Sequence, residues 1–135
     1  MSEPLRVTTP LRVRYGECDA QGIVFNAHYV AWFDLANTEL WRTAIGGYAK
    51  LEEHGVDTVV AEVSVRYRGP ARFDDELEVD TWISAFGTTS MTATCVVRRG
   101  GETLAEGEVR YVFVDARSWE KTPAPAELRR ALGHA

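Results

Sequence analysis

One segment near the N-terminus places a carboxylate close to the predicted start of a helix. Asp19 lies in a loop with Gly22, and an aromatic-rich helix is predicted to begin at about Ala27. The first N–H groups of a helix lack intrahelical partners, so they can stabilise a developing negative charge. A carboxylate beside them can attack a carbonyl carbon or activate water for that attack. The segment therefore predicts chemistry at a carbonyl group.

A thioester suits such a site, because its leaving thiolate departs without a dedicated general acid. Asp19 would act as nucleophile or as general base on water, and the N–H groups of Asn26 and Ala27 would receive the oxyanion. The residues do not distinguish these two mechanisms. The chain contains neither G-x-S-x-G nor H-E-x-x-H, so neither that serine-hydrolase site nor that zinc site is expected.

Each candidate residue also has a structural explanation. An Asp in a Gly-containing loop commonly accepts a backbone N–H in an Asx turn, and that role would suffice for Asp19. His28 is expected to pack rather than to act as a base. Tyr15 would pack against the loop or bond Asp19 or the substrate. Asp34, on the predicted helix, is the reserve candidate for the base.

One long helix must position this loop. Apolar residues recur at helical spacing over 27–45, and the glycine pair at 46–47 ends the helix. Short helices are predicted over 48–54 and 126–132. The apolar stripe consists of Tyr29, Phe33, Ala36 and Leu40, widened by Trp32, Leu35 and Trp41. A helix that is apolar almost all round is expected to be enclosed by other elements.

Five segments alternate with a period of two, which predicts strands. They cover 5–15, 59–68, 77–83, 91–97 and 104–113, the last two joined by a turn at 99–102. Because the long helix is the only element able to cover their apolar face, we expect an α+β fold, a curved antiparallel sheet of about five strands wrapped around one long central helix. A fatty-acid-binding barrel would need about ten strands and is rejected. One strand face is predicted to hold Val59, Ala61, Val63, Val65 and Tyr67.

Composition restricts the remaining classes. The chain has 135 residues and a formal net charge of −5, with no basic run, so a nucleic-acid partner is not expected. No apolar run reaches the ~18 residues of a membrane span, and no signal peptide is evident. Cys18 and Cys95 have the spacing of neither a metal site nor a disulfide framework. We therefore expect no metal, and we expect a cytoplasmic location.

Two longer motifs resemble a known family. They are Tyr15…Asp19-x-x-Gly22-Ile-Val-Phe…Tyr29 and Tyr67-Arg-Gly-Pro-Ala-Arg-Phe-Asp-Asp-Glu-Leu77, followed by 109–115 and Pro123. In this order they resemble the hotdog-fold acyl-CoA thioesterases of the 4-hydroxybenzoyl-CoA thioesterase type. The resemblance implies one hotdog domain over 1–135, without a cofactor. It also implies a homodimer or homotetramer with active sites between subunits.

The resemblance also implies roles for individual residues. Asp19 would be the catalytic carboxylate, the backbone N–H of Asn26 would polarise the carbonyl, and Tyr15 would assist. The chain departs from its relatives by having Asn37 where they commonly carry Arg, and a neutral segment at 87–89 where the 4-hydroxybenzoyl enzymes carry cations. Predicted substrate-binding residues are Gly22, Phe25, Ala27, Tyr29, Trp32, Phe33, Met91 and Lys121.

Hydrolysis of an acyl-CoA to acid and thiol is therefore the leading hypothesis. Two alternatives stay open. One is an enzyme of the same fold that releases a polyketide-like chain from an acyl-carrier protein, which the neutral segment 87–89 favours. The other is a non-catalytic acyl-CoA-binding module, in which replacing Asp19 would not affect turnover. A hotdog dehydratase is less consistent with the sequence, because its paired His and acidic residue are missing from the expected helix.

Overall fold

The computed structural model describes residues 3–134 of the chain. These residues form five strands and three α-helices. They are β1 (Arg6–Arg12), α1 (His28–Ile45), α2 (Tyr48–Glu53), β2 (Val56–Tyr67), β3 (Glu76–Phe86), β4 (Ser90–Arg99), β5 (Glu102–Asp115) and α3 (Ala126–Ala131).

The strands form one sheet in the order β1-β3-β4-β5-β2, and each neighbouring pair is antiparallel. The predicted turn between β4 and β5 is confirmed, since Arg99 pairs with Glu102 across the two glycines. The inward-facing residues predicted for β3 and β4 are also confirmed. Their buried residues are Leu77, Val79, Thr81 and Ile83 on β3 and Met91, Ala93, Cys95 and Val97 on β4.

Helix α1 covers one face of this sheet. Its side chain Phe33 is fully buried, and a Cβ atom at position 107 of β5 would lie 2.7 Å from the Phe33 ring, so only glycine permits this approach. The α+β prediction of a sheet around a central helix is thereby confirmed. One detail is wrong: Leu35, predicted to widen the buried stripe, is 46% exposed, because the sheet covers only one side of the helix.

The predicted first strand is too long. β1 ends at Arg12, and residues Tyr15–Glu17 form a 3-10 turn. The carboxylate of Glu17 accepts the backbone N–H of Arg14 (2.8 Å), which stabilises a turn where the apolar alternation had indicated extended backbone.

The predicted face of β2 is correct beyond a bulge and wrong before it. Val63 and Tyr67 lie opposite the buried Val109 and Ala105, as predicted, whereas before the bulge Val60, and not Val59 or Ala61, lies opposite the buried Tyr111. The strand begins at Val56, and its pairing with β5 shifts register between Val60 and Glu62. Such a bulge moves the side chains beyond it to the other face. β2 is an edge strand, and Val60, Val63 and Tyr67 are substantially exposed on it. None of the helices within residues 3–134 combines the length and the hydropathy needed to cross a membrane.

Candidate active site

Asp19 lies in a tight hairpin formed by residues 18–24. Its N–H donates to the Ile23 carbonyl (2.8 Å), and the N–H of Gly22 donates to the Asp19 carbonyl (3.0 Å). Gly22 has a φ of +79°, the left-handed conformation that closes three-residue hairpin loops and favours glycine. Asp19 Oδ1 accepts the N–H of Gln21 (2.8 Å), so the Asx turn is present. Oδ2 of the half-buried Asp19 has no hydrogen-bond partner among residues 3–134.

The returning strand of the hairpin is fixed to two other parts of the chain. The N–H of Val24 donates to the Ala71 carbonyl (2.8 Å), and the N–H of Phe25 donates to the Glu17 carbonyl (2.9 Å). Ala71 belongs to the loop 68–75, which follows β2 and corresponds to the second sequence motif. The position of Asp19 therefore depends on both motifs.

An ion pair anchors the loop 68–75. Arg99 Nη1 lies 2.7 Å from Asp75 Oδ2 and also donates to the Pro70 carbonyl (3.3 Å), while the N–H of Arg72 donates to Asp75 Oδ2 (2.8 Å). Burial by itself would raise the pKa of Asp75, but the Arg72 N–H and the Arg99 guanidinium stabilise the anion and lower that pKa. Arg99 thus ties this loop to the end of β4.

Glu17 connects the Asp19 loop with α1. Its buried carboxylate accepts the indole N–H of Trp32 (2.9 Å) in addition to the N–H of Arg14. Burial would raise the pKa of Glu17, but the backbone N–H and guanidinium of Arg14 and the Trp32 indole together lower it. Trp32 is therefore a structural partner of the loop.

The residues that lead into α1 include two N–H groups with no acceptor among residues 3–134. The N–H of His28 donates to the Phe25 carbonyl (3.0 Å) and that of Tyr29 to the Asn26 carbonyl (3.4 Å). The N–H groups of Asn26 and Ala27 have no acceptor within the described part of the chain, and no side chain caps the helix. Such N–H groups are donors for an anion or for the oxygen of a polarised carbonyl.

A groove of about 600 Å³ joins these features. Asp19 and Asn26 both line it, so the carboxylate and the residue at the helix start border the same space. The remaining lining residues are Gln21, Ile23, Val24, Phe25, Tyr29, Tyr67, Arg68, Gly69 and Pro70. Among residues 3–134, His, Cys, Asp and Glu side chains form no group of three or more that could hold a metal ion. The groove combines a carboxylate, neighbouring N–H donors and an apolar wall.

Four of the predicted substrate-binding residues lie at or near this groove. Phe25 and Tyr29 line it, the former partly exposed and the latter buried. Ala27 is exposed at the helix start, and Gly22 closes the adjacent hairpin.

The other predicted site residues lie elsewhere in the single chain. Trp32, Phe33 and Met91 are 4%, 0% and 2% exposed and belong to the core. Lys121 is exposed and pairs by its backbone with Val114. Tyr15 is 72% exposed, and its ring contacts Phe73 with 5.7 Å between centroids. None of these residues lines the groove beside Asp19, and their roles stay predictions.

Tyr67 and Arg68 line the groove, but sequence reasoning did not include them among the site residues. The hydroxyl of Tyr67 donates to the Asn26 carbonyl (2.8 Å), and its ring lies edge-on to Tyr29 with 5.1 Å between centroids. Both residues belong to the second sequence motif, which was the available signal. Strand alternation assigned Tyr67 only to a face of β2.

The middle of α1 holds a different polar group. Asn37 is buried, donates to the hydroxyl of Tyr111 (2.8 Å) and accepts from the hydroxyl of Thr81 (2.6 Å). Cys95 lies beside them, and burial raises the pKa of its thiol to about 11. Asn37 thus belongs to a buried hydrogen-bond network with Tyr111 and Thr81. Asp34 is exposed and does not line the Asp19 groove.

His28 contacts Phe25, with 6.3 Å between ring centroids and an edge-on arrangement. This contact is the packing role expected from the sequence. His28 is not among the residues that line the groove beside Asp19.

Together, the sheet wrapped around α1 and the groove at its start define a hotdog fold of the thioesterase class. A model of the "Thioesterase-like superfamily" matches residues 13–132, and the chain belongs to that superfamily. Acyl-CoA thioester hydrolase YbgC of Escherichia coli O6:H1 is 36% identical over 120 residues, which cover 88% of this chain and 90% of that protein.

Two further comparisons agree. The 4-hydroxybenzoyl-CoA thioesterase of Pseudomonas sp. (strain CBS-3) is 26% identical over 115 residues, covering 79% of this chain and 76% of that protein. The crystal structure of the hypothetical protein TT1821 from Thermus thermophilus superposes with a TM-score of 0.85 at 30% identity and covers 95% of each chain. The family resemblance inferred from the two motifs is confirmed.

Proposed function

We propose that this protein hydrolyses an acyl-CoA to a free acid and CoA, with Asp19 as the catalytic carboxylate. The observation that carries the proposal is the shared groove of Asp19 and Asn26. The free N–H groups of Asn26 and Ala27 lie at the start of α1, where a carbonyl oxygen gains negative charge as it is attacked. The names of the relatives, among them an acyl-CoA thioester hydrolase, support the same substrate class.

The arrangement supports two routes. As a general base, Asp19 takes a proton from water while the water oxygen bonds to the carbonyl carbon. The carbonyl electrons move to the oxygen held by the N–H groups, then return as the C–S bond breaks and the thiolate leaves. As a nucleophile, a carboxylate oxygen forms the new bond, the thiolate leaves, and water hydrolyses the resulting anhydride. The Asx turn occupies Oδ1 and leaves Oδ2 available for either route.

We further propose that residues 1–135 act as one domain in a homodimer or homotetramer. The edge strand β2 supports this, because it exposes Val60 and Val63 beside backbone groups that no neighbouring strand pairs within residues 3–134. A second copy would bring further residues to the groove and give Tyr15 and Lys121 a place near substrate. The buried thiol of Cys95 fits a reducing, cytoplasmic location.

The test is turnover of a panel of acyl-CoA and acyl-carrier-protein thioesters by the wild type and by Asp19→Asn. We expect hydrolysis by the wild type and a large loss in the variant. Asp115→Asn is the matched control, because Asp115 also accepts backbone N–H groups in a turn, from Arg117 and Ser118, but lies outside the groove. Equal turnover by wild type and Asp19→Asn on every substrate would end the proposal and favour a binding module.

The same panel separates the two thioester classes. Faster turnover of carrier-protein thioesters would favour that alternative. A single turnover in ¹⁸O-labelled water tests the nucleophilic route: label in Asp19 requires an anhydride that water opens at the Asp19 carboxyl carbon, whereas general-base attack leaves Asp19 unlabelled and labels the product acid.

A further inference from the structure

Tyr67 makes a hydrogen bond to α1 that has no part in the reaction steps proposed above. It is the last residue of β2, 41 positions beyond Asn26, and its side chain is 50% exposed along the groove. Its hydroxyl donates to the Asn26 carbonyl at 2.8 Å. Edge-on contact with the buried ring of Tyr29 fixes where that hydroxyl lies. A residue from the sheet thus holds the first peptide groups of α1.

The carbonyl that Tyr67 binds belongs to the same peptide group as the N–H of Ala27. A trans peptide is planar, so fixing the Asn26 carbonyl also fixes the direction of the Ala27 N–H on the opposite side. A hydrogen bond to the carbonyl also polarises the amide, which strengthens the N–H as a donor by roughly 10–30%. Through one bond, Tyr67 acts on both the direction and the strength of that donor.

Few other contacts hold this peptide group. The Asn26 carbonyl also accepts the N–H of Tyr29, but at 3.4 Å, which is long for an N–H···O bond. In the described part of the chain no side chain caps α1, and Ala27 is exposed. The first turn of an uncapped helix tends to fray, so the bond from Tyr67 is the main constraint on the peptide.

We propose that Tyr67 is a positioning residue for thioester hydrolysis, holding the Asn26–Ala27 peptide so that the Ala27 N–H receives the oxyanion. This inference rests on the proposed function. Tyr67 does not bond the reacting atoms, and it acts only through the peptide. Its contribution is therefore larger in the transition state, where the oxygen is an anion, than in the bound substrate.

The test variant is Tyr67→Phe, which keeps the ring against Tyr29 and removes the donor. We expect kcat for acyl-CoA hydrolysis to fall about tenfold, less than the 100- to 1,000-fold typical of losing an oxyanion donor, with KM changed by no more than about twofold. Two non-hydrolysable CoA analogues add a binding readout. A phosphonate with a tetrahedral anionic centre should bind the variant about tenfold more weakly, whereas a thioether without a carbonyl should bind both proteins equally.

Tyr48→Phe is the matched control. The Tyr48 hydroxyl bonds Thr58 and Asp57 away from the groove, so its loss should leave kcat and phosphonate affinity unchanged. If Tyr67→Phe folds poorly, 3-fluorotyrosine at position 67 keeps the ring and gives a stronger O–H donor. It should bind the phosphonate more tightly than the wild type when both are measured below the pH at which the phenol ionises.

The outcomes are distinct. A wild type that hydrolyses no thioester overturns the proposed function, and this inference with it. An active wild type whose kcat and phosphonate affinity are unchanged in Tyr67→Phe, or unchanged on fluorination, overturns only the role of Tyr67. An equal loss of phosphonate and thioether binding would also overturn it, because a distorted groove weakens both.

Discussion

Polar groups at the start of α1 and polar groups in its middle have opposite surroundings. At the start of α1, the N–H groups of Asn26 and Ala27 have no partners within residues 3–134, and Asn26 lines a groove that the Asp19 carboxylate also lines. Two to three turns further on, the Asn37 amide is buried and bonded to Tyr111 and Thr81. Unsatisfied donors at an exposed helix start can receive a ligand, whereas a satisfied buried amide stabilises one packing of the core. We therefore expect activity and stability to depend on separate parts of the same helix.

The largest loss of activity is expected from Asp19→Asn. Asn can still accept the Gln21 N–H through its side-chain oxygen, so the turn should persist while the anion is lost. We expect kcat to fall about 100- to 10,000-fold, with the melting temperature changed little. Turnover and thermal unfolding measured on the same preparation check this. A large drop in melting temperature would mean that Asp19 serves mainly the fold.

Asn37→Leu tests the buried polar network in the middle of α1. The substitution removes a buried amide and leaves the hydroxyls of Thr81 and Tyr111 short of a partner, so we expect a loss of about 2–4 kcal/mol in the free energy of unfolding. Activity of the folded fraction should stay within about twofold, because Asn37 does not line the groove. Urea denaturation and kcat measured below the transition check both statements. A fall in kcat without destabilisation would place Asn37 in the site.

Glu17→Gln tests the contact between the Asp19 loop and α1, which the Glu17 carboxylate makes through Trp32. Gln can accept the Trp32 N–H but not every bond that the carboxylate makes, so we expect a loss of about 1–3 kcal/mol at pH 7. Folding lowers the pKa of Glu17, so its contribution to stability is fully present above its ordinary pKa of 4.5 and is lost as pH falls through the lowered pKa of the folded state. Unfolding free energies from pH 3 to 7 should therefore converge for wild type and variant at the acidic end. Parallel curves would contradict this assignment.

Phe25→Ala is the mildest test. Phe25 lines the groove but is 47% exposed, so its removal should weaken binding of an apolar acyl group by about 1 kcal/mol, a roughly fivefold rise in KM. The rise should be larger for long acyl chains than for acetyl-CoA. A uniform effect along the chain-length series would indicate that Phe25 contacts CoA instead.

The same contrast explains what the sequence predicts and what it does not. Strands β3 and β4 are central and buried on one face, so alternation assigned their inward residues correctly. β2 is an edge strand with a bulge after Val60, and a pattern of period two cannot reveal an extra residue. The first strand was predicted too long because Glu17 forms its turn through a side-chain bond.

The site was predictable where it is local. Asp19, its turn and the helix start lie within a few residues, and chain chemistry alone indicates them. Tyr67 reaches Asn26 from 41 residues away, and no local pattern reports such a bond. Helical periodicity also marks Trp32 and Phe33 as buried but cannot say whether a buried side chain faces ligand or core.

The position of Asn26 in the lining of the groove has a practical consequence. The proposed reaction uses only the backbone of this residue, while its exposed side chain borders the groove. A saturation library at position 26 would therefore vary the shape of the binding site in every member while retaining the amide donor in all but the proline variant. Screening such a library against CoA thioesters of acids of different bulk offers a direct route to altered substrate selectivity.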